Sequence, residues 1–197
     1  MLVGRALVGA IAAAVAMFIL GFIFFATPLA NIGLKSVPDA QAAAVQTALA
    51  QNLPETATYS VPSGLTSSQT VQYGQGPIST IHYNTKGYAI GDAPTMIGGF
   101  VHMLVVALLI AAGLGALSRY VPTFAERVRL LVLGVLGSTI FMRLGEPIWY
   151  HHDWGHAIYL FVADTISLVV AGFIILKLLP RDRRAEPEAA SAEAREA

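Results

Sequence analysis

Residues 143–156 read RLGEPIWYHHDWGH, a run that holds Arg143, Glu146, Asp153 and three of the chain's five histidines, His151, His152 and His156. Imidazole and carboxylate together suit zinc, copper or iron. The same groups can relay protons, because histidine titrates near physiological pH. Two further ionisable residues, His102 and Asp164, stand inside long apolar stretches, where such groups are costly and call for a named partner. The candidate polar network is therefore His102, Arg143, Glu146, His156 and Asp164. Metal ligation is open to His102, Glu146, His151, His152 and His156, and a haem bridged by His102 and His156 is a further cofactor these residue types allow. Arg143 works against a tightly held cation, since its fixed charge repels one. It favours an anionic group such as a lipid phosphate or a carboxylate.

The same residues support a purely structural role. Counting ~1.5 Å per helical residue, His102 lies roughly 7 Å below Ile97, Arg143 roughly 9 Å below Trp149 and Asp164 roughly 15 Å below Trp154. An arginine side chain can span the difference between the last two. Thr139, Arg143 and Glu146 follow i, i+4, i+7 and share one helix face. In the next stretch His156, Leu160, Asp164 and Ser167 fall within about 80° of each other. An Arg143–Asp164 pair, completed by Glu146 and His156, would lock a helical hairpin without any chemistry. Asp153 stands where a helix N-cap belongs, and Pro147 ends or kinks the preceding helix. His151 and His152 then fall in the connecting loop, and His82 reads as an exposed strand residue.

The elements that would position these side chains follow from composition. Apolar residues make up 55% of the 197-residue chain and charged residues 12%, where soluble domains carry roughly 25% charged residues. Twelve basic and twelve acidic residues balance, and no basic patch is interleaved with aromatics, so nucleic acid is set aside as a partner. The absence of cysteine removes disulfides, thiol catalysis and thiolate zinc sites. Four stretches, 6–26, 97–117, 130–148 and 157–179, are each near the ~20 residues a spanning helix needs. The first follows Arg5 as a secretory signal would, but its apolar core exceeds the roughly 7–15 residues of a signal, which makes it an uncleaved anchor.

Orientation follows from the basic residues. With the N-terminus cytoplasmic, Arg5, Arg119, Arg127, Arg129, Lys177, Arg181, Arg183 and Arg184 all fall at cytoplasmic ends, and only Lys35, Lys86 and Arg143 fall outside or at outer ends. Both termini are then inside. Trp149, Tyr150, Trp154 and Tyr159 would form an aromatic belt at the outer interface. Small-xxx-small spacings at Ala111 and Gly115, and at Gly134 and Ser138, with Gly9 before an alanine run, predict close helix packing.

The segment 29–96 is too long for a turn and reads as a small α+β subdomain. Pro38 and Asp39 open a helix that runs through Gln51 and stops at Pro54; its alanine-rich side must lean on something else. TATYSVP and GPISTIHYN read as strands, and NTKG before YAIGD as a hairpin turn. SGLTSSQTVQYGQG, polar and glycine-rich, reads as a loop. The tail, 181–197, lacks large apolar residues and is expected to stay disordered. The organisation is thus an anchor at 1–28, an extracytoplasmic subdomain at 29–96, three spans within 97–180 and the tail: an all-α membrane bundle of four helices with an inserted α+β subdomain.

Tyr59, Pro62, Gly76 and Pro77, in ETATYSVP and GQGPISTIHY ahead of the second span, give the chain a layout that resembles uncharacterised bacterial four-span inner-membrane proteins. The resemblance implies an architecture and no reaction. Five histidines are too few for the histidine-rich boxes of membrane di-iron enzymes, and no HExxH or GxSxG is present. The expected role is a non-enzymatic accessory protein or complex subunit of the cell envelope, in the lipid bilayer, with membrane-protein partners or as a homo-oligomer. The competing readings are a metal-, haem- or anion-binding protein or membrane enzyme built on the His/carboxylate cluster, and a proton-coupled transporter, which would need oligomerisation.

Overall fold

The computed structural model describes residues 2–118 and 120–179. The expected tail, 181–197, and the basic residues Arg119, Arg181, Arg183 and Arg184 lie outside the described residues. Four helices are long and apolar enough to cross a bilayer: Gly4–Phe25, Ala93–Leu117, Phe124–Tyr150 and Trp154–Leu178. They point to a multi-pass membrane protein whose apolar helices would sit in lipid. A two-stranded sheet and two short helices are inserted between the first and second of them.

Three of the long helices, α1 (Leu2–Phe25), α4 (Ala93–Leu117) and α7 (Trp154–Leu178), pack against one another. Their contact surfaces are built from small residues: Ala10, Ala13 and Ala14 of α1, Ala107 and Ala111 of α4, and Ala171 of α7 are buried, with Met17 and Ile175 filling the space between. Without a hydrophobic drive between helices in lipid, close backbone approach of this kind supplies the association energy. At Gly9 an added Cβ would sit 3.5 Å from Leu178 Cβ and 3.6 Å from Ile175 Cα, which shows how near α1 and α7 run.

The third span packs chiefly on α7 and consists of α5 (Phe124–Thr139), one π-helical turn (Ile140–Leu144) and α6 (Gly145–Tyr150). It starts earlier than expected because Thr123 and Glu126 form a capping box, each side chain meeting the other's backbone N–H. The π turn has a local cause. Pro147 lacks the N–H that would bond the carbonyl one turn back, and its ring crowds that carbonyl. The wider turn just ahead of it absorbs the mismatch. Pro147 therefore neither ends the helix nor simply bends it; the helix continues to Tyr150.

Where small residues pack differs in part from the spacing argument. Ala111 is buried, but Gly134 and Ser138 are exposed on α5, and nothing lies within 4 Å of a Cβ placed on Gly134 or Gly115. The packing glycine between the third and fourth spans is Gly172, whose Cβ position is occupied by the Leu131 side chain.

The inserted segment begins with a 3₁₀ turn (Pro28–Ile32) capped by Thr27, followed by α2 (Asp39–Asn52). Every residue of α2 is exposed except the half-buried Leu49, so the helix buries no residue against the described chain. Strands β1 (Ala57–Val61) and β2 (Ser79–Tyr83) pair antiparallel, with Thr58 opposite His82 and Tyr59 opposite Ile81. The expected loop between them is instead a helix, α3 (Ser67–Gln75), begun by Thr66, whose hydroxyl accepts from the Gln69 N–H at 3.2 Å. The expected β2–YAIGD hairpin does not form: β1 takes the partner position beside β2, and Ile90 is fully exposed.

Candidate functional site

An ion pair joins the third and fourth spans. Arg143, carried on the π turn, donates from Nε to Asp164 Oδ2 at 2.6 Å, and both side chains are 30% exposed. One turn earlier, Thr139 Oγ1 donates to the Val135 carbonyl at 2.8 Å and lies 2.9 Å from Thr165 Oγ1. Two polar contacts of α5 and its continuation therefore face the same side of α7, as the shared face of Thr139 and Arg143 requires. Glu146 Oε1 stands 4.0 Å from Arg143 Nη1, at the margin of an ion pair.

Beyond this pair Glu146 belongs to a second group. Its Oε2 lies 3.3 Å from His152 Nδ1 in the turn between α6 and α7. The turn reverses at His151, whose φ of 56° is left-handed, and it closes on Asp153, which accepts the His156 N–H at 2.6 Å as the cap of α7. The His151 ring meets Tyr73 of α3, with centroids 6.3 Å apart.

His156 turns away from the Arg143–Asp164 pair. Its Nδ1 donates to the Gly33 carbonyl at 3.0 Å, which fixes the proton on Nδ1 because a carbonyl can only accept. Gly33 is buried and lies flat against Tyr159: an added Cβ would stand 2.6 Å from Tyr159 Cδ1. Tyr159 is held in turn by its hydroxyl, which donates to the Phe24 carbonyl at 2.5 Å, and by edge contacts with Phe24 and Phe25. Of the four expected belt aromatics, Trp149, Tyr150 and Trp154 are exposed, while Tyr159 is tucked against the end of α1.

These groups border one open cleft of about 520 Å³, whose walls include Lys35, His82, Glu146, His151, His152 and His156. Four of the chain's five histidines thus converge on one space. The fifth, His102, is exposed on α4 and does not line the cleft. Among the described residues no three His, Asp or Glu side chains already surround one point closely enough to hold a metal ion. Lys35, His82 and Gly33 join the cleft from the inserted segment. The Gly33–His156 contact bridges 123 positions, and no local pattern announces it.

A separate cluster shapes the opposite end of the bundle. Arg127 is 8% exposed and donates to the carbonyls of Val121 at 2.7 Å, Ser118 at 3.0 Å and Pro122 at 3.4 Å. It ties the turn between α4 and α5 to the first turn of α5.

No family model, no curated protein and no solved structure matches the chain.

Proposed function

We propose that this chain is a multi-pass protein of the bacterial inner membrane, with both termini cytoplasmic and the 29–96 segment outside, and that it serves as a non-enzymatic accessory protein or complex subunit of the cell envelope. The orientation is supported by Arg5, Arg127, Arg129 and Lys177 at one end of the bundle against Lys35 and Lys86 beyond the other. The observation that carries the non-enzymatic reading is the Arg143–Asp164 contact at 2.6 Å. The charge of Arg143 on the third span is neutralised by Asp164 on the fourth, so both groups hold a hairpin together instead of waiting on a substrate. Of the candidate network, Arg143, Glu146 and Asp164 serve this hairpin, and His156 serves the junction with the inserted segment.

A partner role is supported by α2. Isolated helices shorter than ~12–15 residues are marginal in water, and α2 has 14 residues, none of them buried among the described residues. A partner protein or a second copy of the chain would complete it. The chain has no cysteine, so single cysteines report cleanly. In intact cells with a permeabilised outer membrane, a membrane-impermeant maleimide should label Val45→Cys and Lys86→Cys but not a cysteine replacing Arg129. A photo-crosslinking residue at position 45 should give an adduct of defined mass in native membranes. Labelling of position 129 alone would contradict the orientation, and an uncrosslinked monomer alone would contradict the partner role.

A further inference from the structure

His102 stands in α4 three positions from Val105, the middle residue of Ala93–Leu117, a distance of roughly 4.5 Å along the axis at ~1.5 Å per residue. In a hydrocarbon layer about 30 Å thick its ring therefore lies roughly 10 Å from the nearer interface, farther than an imidazole reaches. His102 is exposed, facing away from the bundle, and its ring has no hydrogen-bond partner among the described residues. Arg143 and Asp164, in contrast, answer each other within the chain. An unpaired polar group in hydrocarbon is costly, and ionisable residues in spans pair with one another or with backbone carbonyls. The partner that His102 needs must then come from a transmembrane helix outside this chain.

We infer that the His102 face of α4 is the interface between two copies of this chain, packed in parallel about a two-fold axis so that His102 meets the partner's His102. A neutral imidazole carries one donor and one acceptor, so the ring is complementary to itself, as a residue at a two-fold interface must be. Copies that insert with the same topology run their α4 helices parallel and bring equal residues to equal depth. The two rings therefore meet without any adjustment of register. The same face is shaped for close approach. Gly98, His102, Val105, Leu109, Gly113 and Ala116 are all exposed and fall within about 80° of each other at roughly 100° per residue. An added Cβ on Gly98 or Gly113 would meet nothing within 4 Å, and small residues of this kind let two helices come near enough for a side-chain hydrogen bond across them. The exposed small residues of α5 differ, because the Ser138 hydroxyl already donates to the Gly134 carbonyl at 2.8 Å. The inference rests on the reading of the four helices as membrane spans and names the partner of one of them; it does not depend on α2.

The test uses the full chain, which has no cysteine of its own. Val105→Cys and Leu109→Cys are oxidised with copper phenanthroline in native membranes, and non-reducing gels read the disulfide-linked product. Both should give a dimer of twice the chain mass. Leu133→Cys, exposed on α5, controls for chance collision and should give far less. In the Val105→Cys background, cross-linked in vesicles of increasing lipid dilution, His102→Leu should weaken association roughly 3- to 18-fold, the range that interhelical hydrogen bonds command in membranes. His102→Asn, which keeps a donor and an acceptor, should recover most of it. His102 is exposed, so neither change removes packing within the chain, and helix content by circular dichroism verifies this. A chain recovered in the soluble fraction overturns the membrane reading and the interface with it. For a chain found in the membrane, the interface alone is overturned if Val105→Cys stays monomeric, links no better than Leu133→Cys or links to a different protein, or if His102→Leu leaves the dimer intact.

Discussion

Arg143 Nε and Asp164 Oδ2 lie 2.6 Å apart, joining residues 21 positions apart on the third and fourth spans. Arg143 is carried on the π turn at Ile140–Leu144, just ahead of Pro147. A sequence feature that would break a soluble helix here sets the direction in which an arginine points. The Thr139–Thr165 contact, one turn deeper, keeps the same two helices in register.

Gly33→Ala is expected to destabilise the protein by roughly 1–3 kcal/mol, the cost of forcing atoms into a filled space. The new methyl would meet the Tyr159 ring at 2.6 Å, and that ring is pinned by Phe24. Tyr159→Phe removes only the hydroxyl and should cost about 1 kcal/mol. Thermal unfolding in detergent ranks the two, and Gly33→Ala should be the more damaging.

His151 is the only non-glycine residue with positive φ among the described residues, at 56°. A left-handed conformation costs an ordinary L-residue roughly 1–2 kcal/mol. His151→Gly should therefore be neutral or better in stability, despite losing the contact with Tyr73, whereas His151→Val should lower it. Equal melting temperatures for the two variants would show that the turn is not under backbone constraint.

Arg127→Ala would leave three carbonyls at the α4–α5 turn without their charged donor. Hydrogen bonds to charged groups are worth about 1.5–3 kcal/mol each, though not additively, so a loss of roughly 2–4 kcal/mol is expected. Arg127→Lys should recover only part of it, because an ammonium lacks the planar fork that reaches several acceptors. Unfolding by denaturant in detergent measures both.

The spans, the Asp153 cap and the Arg143–Asp164 pair were legible because they depend on hydropathy, short-range chemistry and the helical period. The α3 helix reads wrongly as a loop: its start, Thr66-x-x-Gln69, has capping-box spacing, but the polar, glycine-rich surroundings conceal it. In the folded chain Gln69 turns instead to Ser63, accepting from its backbone N–H at 3.2 Å. The small-residue spacing at Gly134 and Ser138 says which residues share a face but not which neighbour lies opposite, and that face points outward. Gly33 and Tyr159 were not legible, since their roles arise from contacts between the two ends of the sequence. The convergence of His82 with His152 and His156 has the same origin.

The central claim, that Arg143 and Asp164 form a structural lock, is tested most directly by a double-mutant cycle. Arg143→Gln, Asp164→Asn and the double variant are compared by unfolding in detergent. Each single change should cost roughly 1–3 kcal/mol by leaving a half-buried charge unpaired. The double change should cost clearly less than the sum, with a coupling of at least about 1 kcal/mol. Neutral single variants, or strictly additive losses, would contradict the lock.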